Sequence, residues 1–412
     1  MKNSLIWQRK ILSNNLRVLL YPRKSALTTQ IGVGINYGAN LDPDSKLGLA
    51  HFLEHMISGG SQRRINHSRE IEFLGGISNF QTNHEYTYCF VDILPEKISE
   101  ASKILSELLF DSTFEIEKLN IERKIILNEL NDILDDPNEI IHYMLKECLF
   151  RNHPIKREII GSKNSLKSLT ISDLVQAHEF YYNLPNMILI ITGRFLEKDI
   201  DDILNNFLSK NSSEIPFKRP IFFEKGKPKK SKQKSKAGIN QTYIKIGART
   251  VSSKHPDSHV LDLISTILGD GTSSRLFIKV REKLGLTYNI STCNDFGLDY
   301  GLFSIDCSVK PRKKDYTIKV VQKEVKKLCN EKVKETELQK AKDIIKSELL
   351  RIVDSPVVFP EFITSCEIKY ETEYAILDYL KKISTTTSQD ILEIAEKYLS
   401  ENKLSSVALS PV

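Results

Sequence analysis

Apolar residues recur along this chain with two different periods, and the switches between them lay out its elements. TYCFVDIL (87–94) alternates inward and outward positions, the period-2 pattern of a half-buried strand. ILSNNLRVLLYPR (11–23) holds two apolar runs around Asn14-Asn15; asparagine tolerates the positive φ of a tight turn, which predicts a hairpin. TTQIGVGINYGA (28–39) follows as a strand. From Leu47 to Ser58 the period becomes that of a helix, which Gly59-Gly60 ends. A longer helix, capped by Ser112 or Thr113, runs to Asp135, where Asp136-Pro137 stops it. LTISDLVQAHEFYYNLPNMILIITGRF (169–195) gives a capped helix, a proline break and an apolar strand.

The second half repeats this pattern. EYTYCFVDILPEKISEASKILSEL is echoed by DYGLFSIDCSVKPRKKDYTIKVVQKEV, with Asp92 matching Asp306, 214 positions on. LNIERKIILNEL is echoed by LQKAKDIIKSEL, where Leu119, Ile125, Ile126 and Glu129 match Leu338, Ile344, Ile345 and Glu348 at an offset of 219. MISGGS and ILGDGT align at 211. Ordered offsets that drift by a few residues indicate one fold duplicated with small loop insertions. The fold class expected is α+β: two homologous tandem domains, each an antiparallel sheet with helices on one face. The boundaries expected are 1–208, a lysine-rich linker over 209–238, and 239–412, because periodicity breaks down across the middle span.

Charge changes this picture little. The net charge is +6, but KGKPKKSKQKSK (225–236) alone holds seven lysines and no acid, so the remainder of the chain sums to −1. One interrupted tract is a solvated segment, whereas nucleic-acid affinity needs cations spread over a surface; no nucleic-acid partner is expected. No apolar run approaches the length of a membrane span, and MKNSLIWQRK lacks the apolar core of a secretory signal. Six scattered cysteines without CxxC pairing read as reduced thiols, which predicts a cytoplasmic location.

The chemistry concentrates in GLAHFLEHMISGG (48–60). His51 and His55 are four apart, so a helix puts both imidazoles on one face, with Glu54 bordering it. Two imidazoles can share a zinc ion, and a catalytic zinc needs a third protein ligand while keeping one position open. LNIERKIILNEL supplies Glu122 and Glu129, two turns apart on an otherwise apolar stripe, where a carboxylate needs a partner. The histidine pair alone also fits a polar patch on a buried helix; the glycine stop and the downstream glutamates favour the metal.

HFLEH is an HxxEH pentad, the inverzincin signature. With GGISNFQTNHEYTY, ERKIILNEL, NHPIKREIIGS, FYYNLPNMILIITGRF and GDGTSSRLFIKVREKLGLTYNIS in order, the chain resembles the pitrilysin-type zinc peptidases, the family of insulin-degrading enzyme and the mitochondrial processing peptidase. The resemblance implies one Zn²⁺ per chain held by His51, His55 and Glu129, Glu54 as catalytic base, and Glu122 as a carboxylate supporting the ligands. It further implies a substrate-binding Asn79, an Arg281 that grips peptide backbone, and a Tyr288 that also stabilises the developing oxyanion. The residue after that asparagine is ordinarily a small alanine; here it is Phe80, which bears on substrate choice. The implied activity is a metalloendopeptidase for unfolded or short peptides, its two domains closing as a clamshell. The chain would pair with a copy of itself or with a paralogue. The competing reading is a non-catalytic scaffold or partner subunit, although such members have typically lost pentad residues.

Overall fold

The computed structural model describes residues 5–59, 67–209 and 217–412, and the chain divides into two compact units. The sheet of the first unit comprises β1 (Gln8–Ile11), β2 (Arg17–Pro22), β3 (Thr29–Ile35), β4 (Ile77–Thr82), β5 (Thr87–Ile93) and β6 (Met187–Gly193), in the order β1-β2-β6-β3-β5-β4. Only β2 and β6 run parallel. The β1–β2 hairpin turns where its asparagines predict, with Asn15 at a φ of 66°. The strand at one edge of the sheet is β4.

Strand alternation assigns the two faces. Val33 pairs with Cys89 and Thr82 with Thr87, so all four belong to one face; Gly34 and its partner Tyr88 belong to the other. The helix Leu49–Ser58 lies on the first face, where Glu54 meets Thr82. The helix Val358–Tyr370 lies on the second: a Cβ on Gly34 would come within 2.3 Å of Thr364 Cγ2, so the strand must carry glycine there. Covered on both sides, β3 and β6 are buried at every position, which is why they read as nearly unbroken apolar runs.

That covering helix belongs by sequence to the second half of the chain, and the exchange is mutual. The helix Pro137–Leu149, from the first half, packs its Met144, Leu145 and Cys148 on the sheet of the second unit. The units therefore comprise Met1–Asn131, Arg157–Pro220 and Ile352–Ala375 in one, and Asp132–Lys156, Ile221–Arg351 and Ile376–Val412 in the other. The contiguous boundaries expected at 208 and 239 do not describe this division. Helical periodicity reports that a face is apolar, not which sheet it will cover.

The second sheet comprises β7 (Ser231–Lys236), β8 (Thr242–Arg249), β9 (Thr287–Phe296), β10 (Gly301–Val309) and β11 (Ser405–Pro411), in the order β7-β11-β8-β10-β9. Here β7 and β11 form the parallel pair. Ile244, Ile246 and Ala248 of β8 enter a core with the helices Ser258–Gly269, Lys314–Asn330 and Ser388–Leu399, while Gly247 faces Leu145 of the exchanged helix. The lysine tract is not wholly a linker: its 231–236 portion is the edge strand β7, and 210–216 of the expected linker lies outside the described residues. Lys232 pairs with Glu147 and Lys236 with Asp135, so the tract meets acids of its own unit, and its charge keeps the edge polar. A strand with no apolar member gives no hydrophobic alternation to read.

The duplication is visible at element level. The helix Ile116–Asp135 has its counterpart in Glu335–Asp354, displaced by 219 at both ends. Neither expected cap at the start of the first of these forms; Ser112 instead donates to Leu108 O of the preceding helix, and Asp136 caps the following helix through Asn138 N–H at 2.8 Å. All six cysteines are free thiols. No helix among the described residues is long and apolar enough to cross a membrane.

Candidate metal centre

The pentad helix is fixed at both ends. Gly48 precedes it at a φ of 85°, and a Cβ there would fall 2.3 Å from Ile160 O, so only glycine serves. Asp42 then caps the helix from a distance: its carboxylate accepts from Gly48 N–H (2.8 Å), Ala50 N–H (3.0 Å) and the Tyr37 hydroxyl (2.9 Å). At the other end Lys118 donates to Met56 O, tying the helix Ile116–Asp135 to the pentad helix. Arg123, one turn below Asn120, anchors that second helix through Leu166 O and Leu169 O.

These ties bring His51, His55 and Glu129 together, with one donor atom from each within 4.8 Å of the others. His51 Nε2 lies 3.7 Å from Glu129 Oε1, and His55 Nε2 lies 3.6 Å from Glu129 Oε2. Both separations are too long for good hydrogen bonds. They suit ligands around one ion, since tetrahedral donors at about 2.0–2.1 Å from zinc stand roughly 3.3–3.4 Å apart. Among the described residues this is the one grouping of three or more His, Cys, Asp or Glu side chains with that convergence. His55 Nδ1 meets Glu122 Oε2 at 3.1 Å, which fixes the ring and leaves Nε2 facing Glu129. The donor set, two imidazoles and a carboxylate with a supporting carboxylate, fits zinc.

The electrostatics describe a cluster that seeks a cation. Burial and the neighbouring His55 hold the His51 imidazole down at about 4, against Glu129. Burial also opposes charge on His55, but the hydrogen bond with Glu122, together with Glu129 and Glu54, raises it to about 9. Glu129 sits below its ordinary value because His55 adjoins it, with His51 adding to the effect. Burial pushes Glu54 up to about 7, opposed by His55 and by the Thr82 hydroxyl. Three carboxylates surround two imidazoles, with His51 and Glu54 buried and Glu129 partly open to solvent.

The other expected residues are placed as follows. Phe80 is half-buried on the face of β4 that carries Thr82, and so on the side of the pentad helix. Asn79, exposed, alternates to the opposite face. Arg281 and Tyr288 belong to the second unit and lie against each other, the guanidinium 4.9 Å from the Tyr288 ring and 4.5 Å from Phe277. Tyr288 is 83% exposed. The counterparts of the pentad in that unit are Asp262, Ser265 and Thr266, and they are committed elsewhere: Asp262 accepts from Asn294 and Tyr379, and Ser265 donates to Thr292. Two contributors escaped sequence reasoning, Asp42 and Thr82. Asp42 stands six residues before the glycine it bonds, beyond any local capping pattern, and Thr82 carries no signal apart from the strand it lies on.

Known proteins resemble the chain over most of its length. Residues 17–163 match the family model described as Insulinase (Peptidase family M16), and residues 168–345 match the Peptidase M16 inactive domain. The chain is 27% identical over 403 residues to an uncharacterized zinc protease of Rickettsia felis, covering 96% of each. It is 25% identical over 417 residues to a probable mitochondrial-processing peptidase subunit beta of Arabidopsis thaliana, covering 97% of this chain and 78% of that one. Its fold matches a protease from Helicobacter pylori with a TM-score of 0.91 at 20% identity, over 98% of this chain and 99% of the other. With both models matched in order and the pentad intact, the chain belongs to peptidase family M16.

Proposed function

We propose that the chain is a zinc-dependent endopeptidase that hydrolyses unfolded or short peptides. The observation that carries this reading is the convergence of His51, His55 and Glu129 donors within 4.8 Å, with Glu54 on the same turn as His55. Zinc held by those three side chains would supply a Lewis acid for the scissile carbonyl and a water acidic enough to react at neutral pH. Glu122 holds His55 through Nδ1 and so keeps Nε2 aimed at Glu129. Glu54, 8% exposed, accepts the proton of the attacking water and returns it to the departing amine. The free edge of β4 supports an extended peptide laid beside it as an added strand, which selects substrates able to offer an unpaired backbone. Phe80 flanks that path on the pentad side and restricts the side chains accepted there. Arg281 and Tyr288 are the substrate-contacting residues proposed for the second unit.

The test is Glu54→Gln on the full chain, assayed on a library of unstructured peptides. The variant should keep zinc at one per chain and lose about 10²–10⁴-fold in kcat, the span of general acid–base catalysis. Undiminished cleavage by the variant removes Glu54 as the base, and wild-type protein that purifies from chelator-free medium without zinc removes the reading in favour of a scaffold.

A further inference from the structure

The hairpin formed by β4 and β5 touches both the candidate base and the exchanged helix. On one face, Thr82 Oγ1 donates to Glu54 Oε2 at 3.3 Å, and both side chains are buried. On the other face, Glu361 of the helix Val358–Tyr370 takes three donors from the hairpin into one carboxylate oxygen: Gln81 Nε2 at 3.3 Å, Asn83 Nδ2 at 3.3 Å and the Tyr86 hydroxyl at 2.9 Å. The helix itself cannot slide, because Glu367, six residues on, is fully buried in a two-pronged pair with Arg9 at 2.8 and 2.9 Å, with Arg17 nearby. Backbone bonds from Ala39 and Asn40 to the carbonyls of Asn83 and His84 hold the turn from outside.

From this geometry, and resting on the reading of Glu54 as the base, we propose that the hairpin is a positioning device. Thr82 is a positioning residue that fixes the rotamer of Glu54, and Glu361 is the anchor that holds the strand carrying Thr82. A carboxylate on a helix side chain has three rotatable bonds. Occupying Oε2 with a hydroxyl from a rigid strand leaves Oε1 as the oxygen free to accept a proton, aimed the same way in every turnover. Loss of that constraint reduces the fraction of time the base is aligned and leaves substrate binding along the strand edge intact.

The experiment measures steady-state hydrolysis of one unstructured peptide by the zinc-loaded full chain, with Glu54→Gln as reference. Thr82→Val keeps the shape of the side chain and removes the donor; it should lower kcat by about 10–100-fold with KM within about twofold and zinc content unchanged. Thr82→Ser restores the hydroxyl and should return kcat to within about threefold of wild type. Glu361→Ala should lower kcat by about 3–10-fold. A second readout needs neither metal nor turnover: amide hydrogen exchange across 81–88 in metal-free protein should accelerate in Glu361→Ala and stay unchanged in Thr82→Val. Wild-type kcat in Thr82→Val beside an inactive Glu54→Gln overturns the positioning role alone, as does a Thr82→Ser that fails to rescue. Glu361→Ala with unaltered exchange overturns the anchor. An active Glu54→Gln overturns the base assignment on which all of this stands.

Discussion

Glu122 and Glu129 look interchangeable in the sequence, seven residues apart on one stripe, yet the structure gives them opposite sides of the same imidazole. Glu122 takes His55 Nδ1 at 3.1 Å, and Glu129 faces Nε2 at 3.6 Å. Only the second can share an ion with the ring. Glu122→Gln should therefore leave the chain folded and able to bind zinc, with affinity reduced by about 10–100-fold, whereas Glu129→Gln should abolish stoichiometric binding. Competition against a chromogenic chelator separates the two, and equal losses would contradict the division of roles. The pentad itself was legible because a helix translates spacing directly into shared direction. Thr82 was not, since its bond to Glu54 joins residues 28 apart through a strand pairing that no local pattern encodes.

Elements were legible to the extent that each is a local object. The β1–β2 hairpin, β5, β6 and the pentad helix appear where periodicity and turn residues put them, whereas β7 escaped because its residues are Ser, Lys and Gln. What no local pattern conveyed is the destination of the helix Pro137–Leu149. Covering the second sheet buries its leucines and Lys146 and half-buries His142, one turn from Lys146 on the same helix and close to Lys245 of β8. Burial, reinforced by the Lys146 and Lys245 cations, holds the His142 imidazole down at about 3. In the unfolded chain the ring protonates near 6.5, so between these values the unfolded state binds the extra proton. Stability contributed by keeping His142 neutral is thus present above about pH 6.5 and is lost as pH falls towards 3. His142→Phe should flatten part of the acid side of the stability curve, narrowing the wild-type loss between pH 7 and pH 4 by roughly 2–3 kcal/mol. Urea midpoints at several pH values measure this, and parallel curves for the two proteins would show that the ring is not held neutral.

At the scale of the whole chain the mutual exchange of helices makes the two halves of the sequence different objects from the two compact units. A polypeptide ending at residue 208 contains every candidate metal ligand and all six strands of the first sheet, but lacks the helix Val358–Tyr370. Without that helix the face bearing Gly32, Gly34 and Tyr88 loses its cover, and Arg9 and Arg17 lose the buried Glu367. Uncovering a sheet face returns its apolar area to water at about 25 cal/mol per Å², against a total stability of only about 5–15 kcal/mol for a domain. The fragment 1–208 should consequently fail to melt cooperatively and should bind zinc weakly, despite its complete ligand set. Co-expression with 209–412 should restore both properties, because the missing helix arrives on the second fragment. Calorimetry and zinc content of the separate and co-expressed fragments decide the matter. A cooperative transition and stoichiometric zinc in 1–208 alone would mean that the first half folds as the contiguous domain its sequence suggests, with the exchanged helix only an accessory to it.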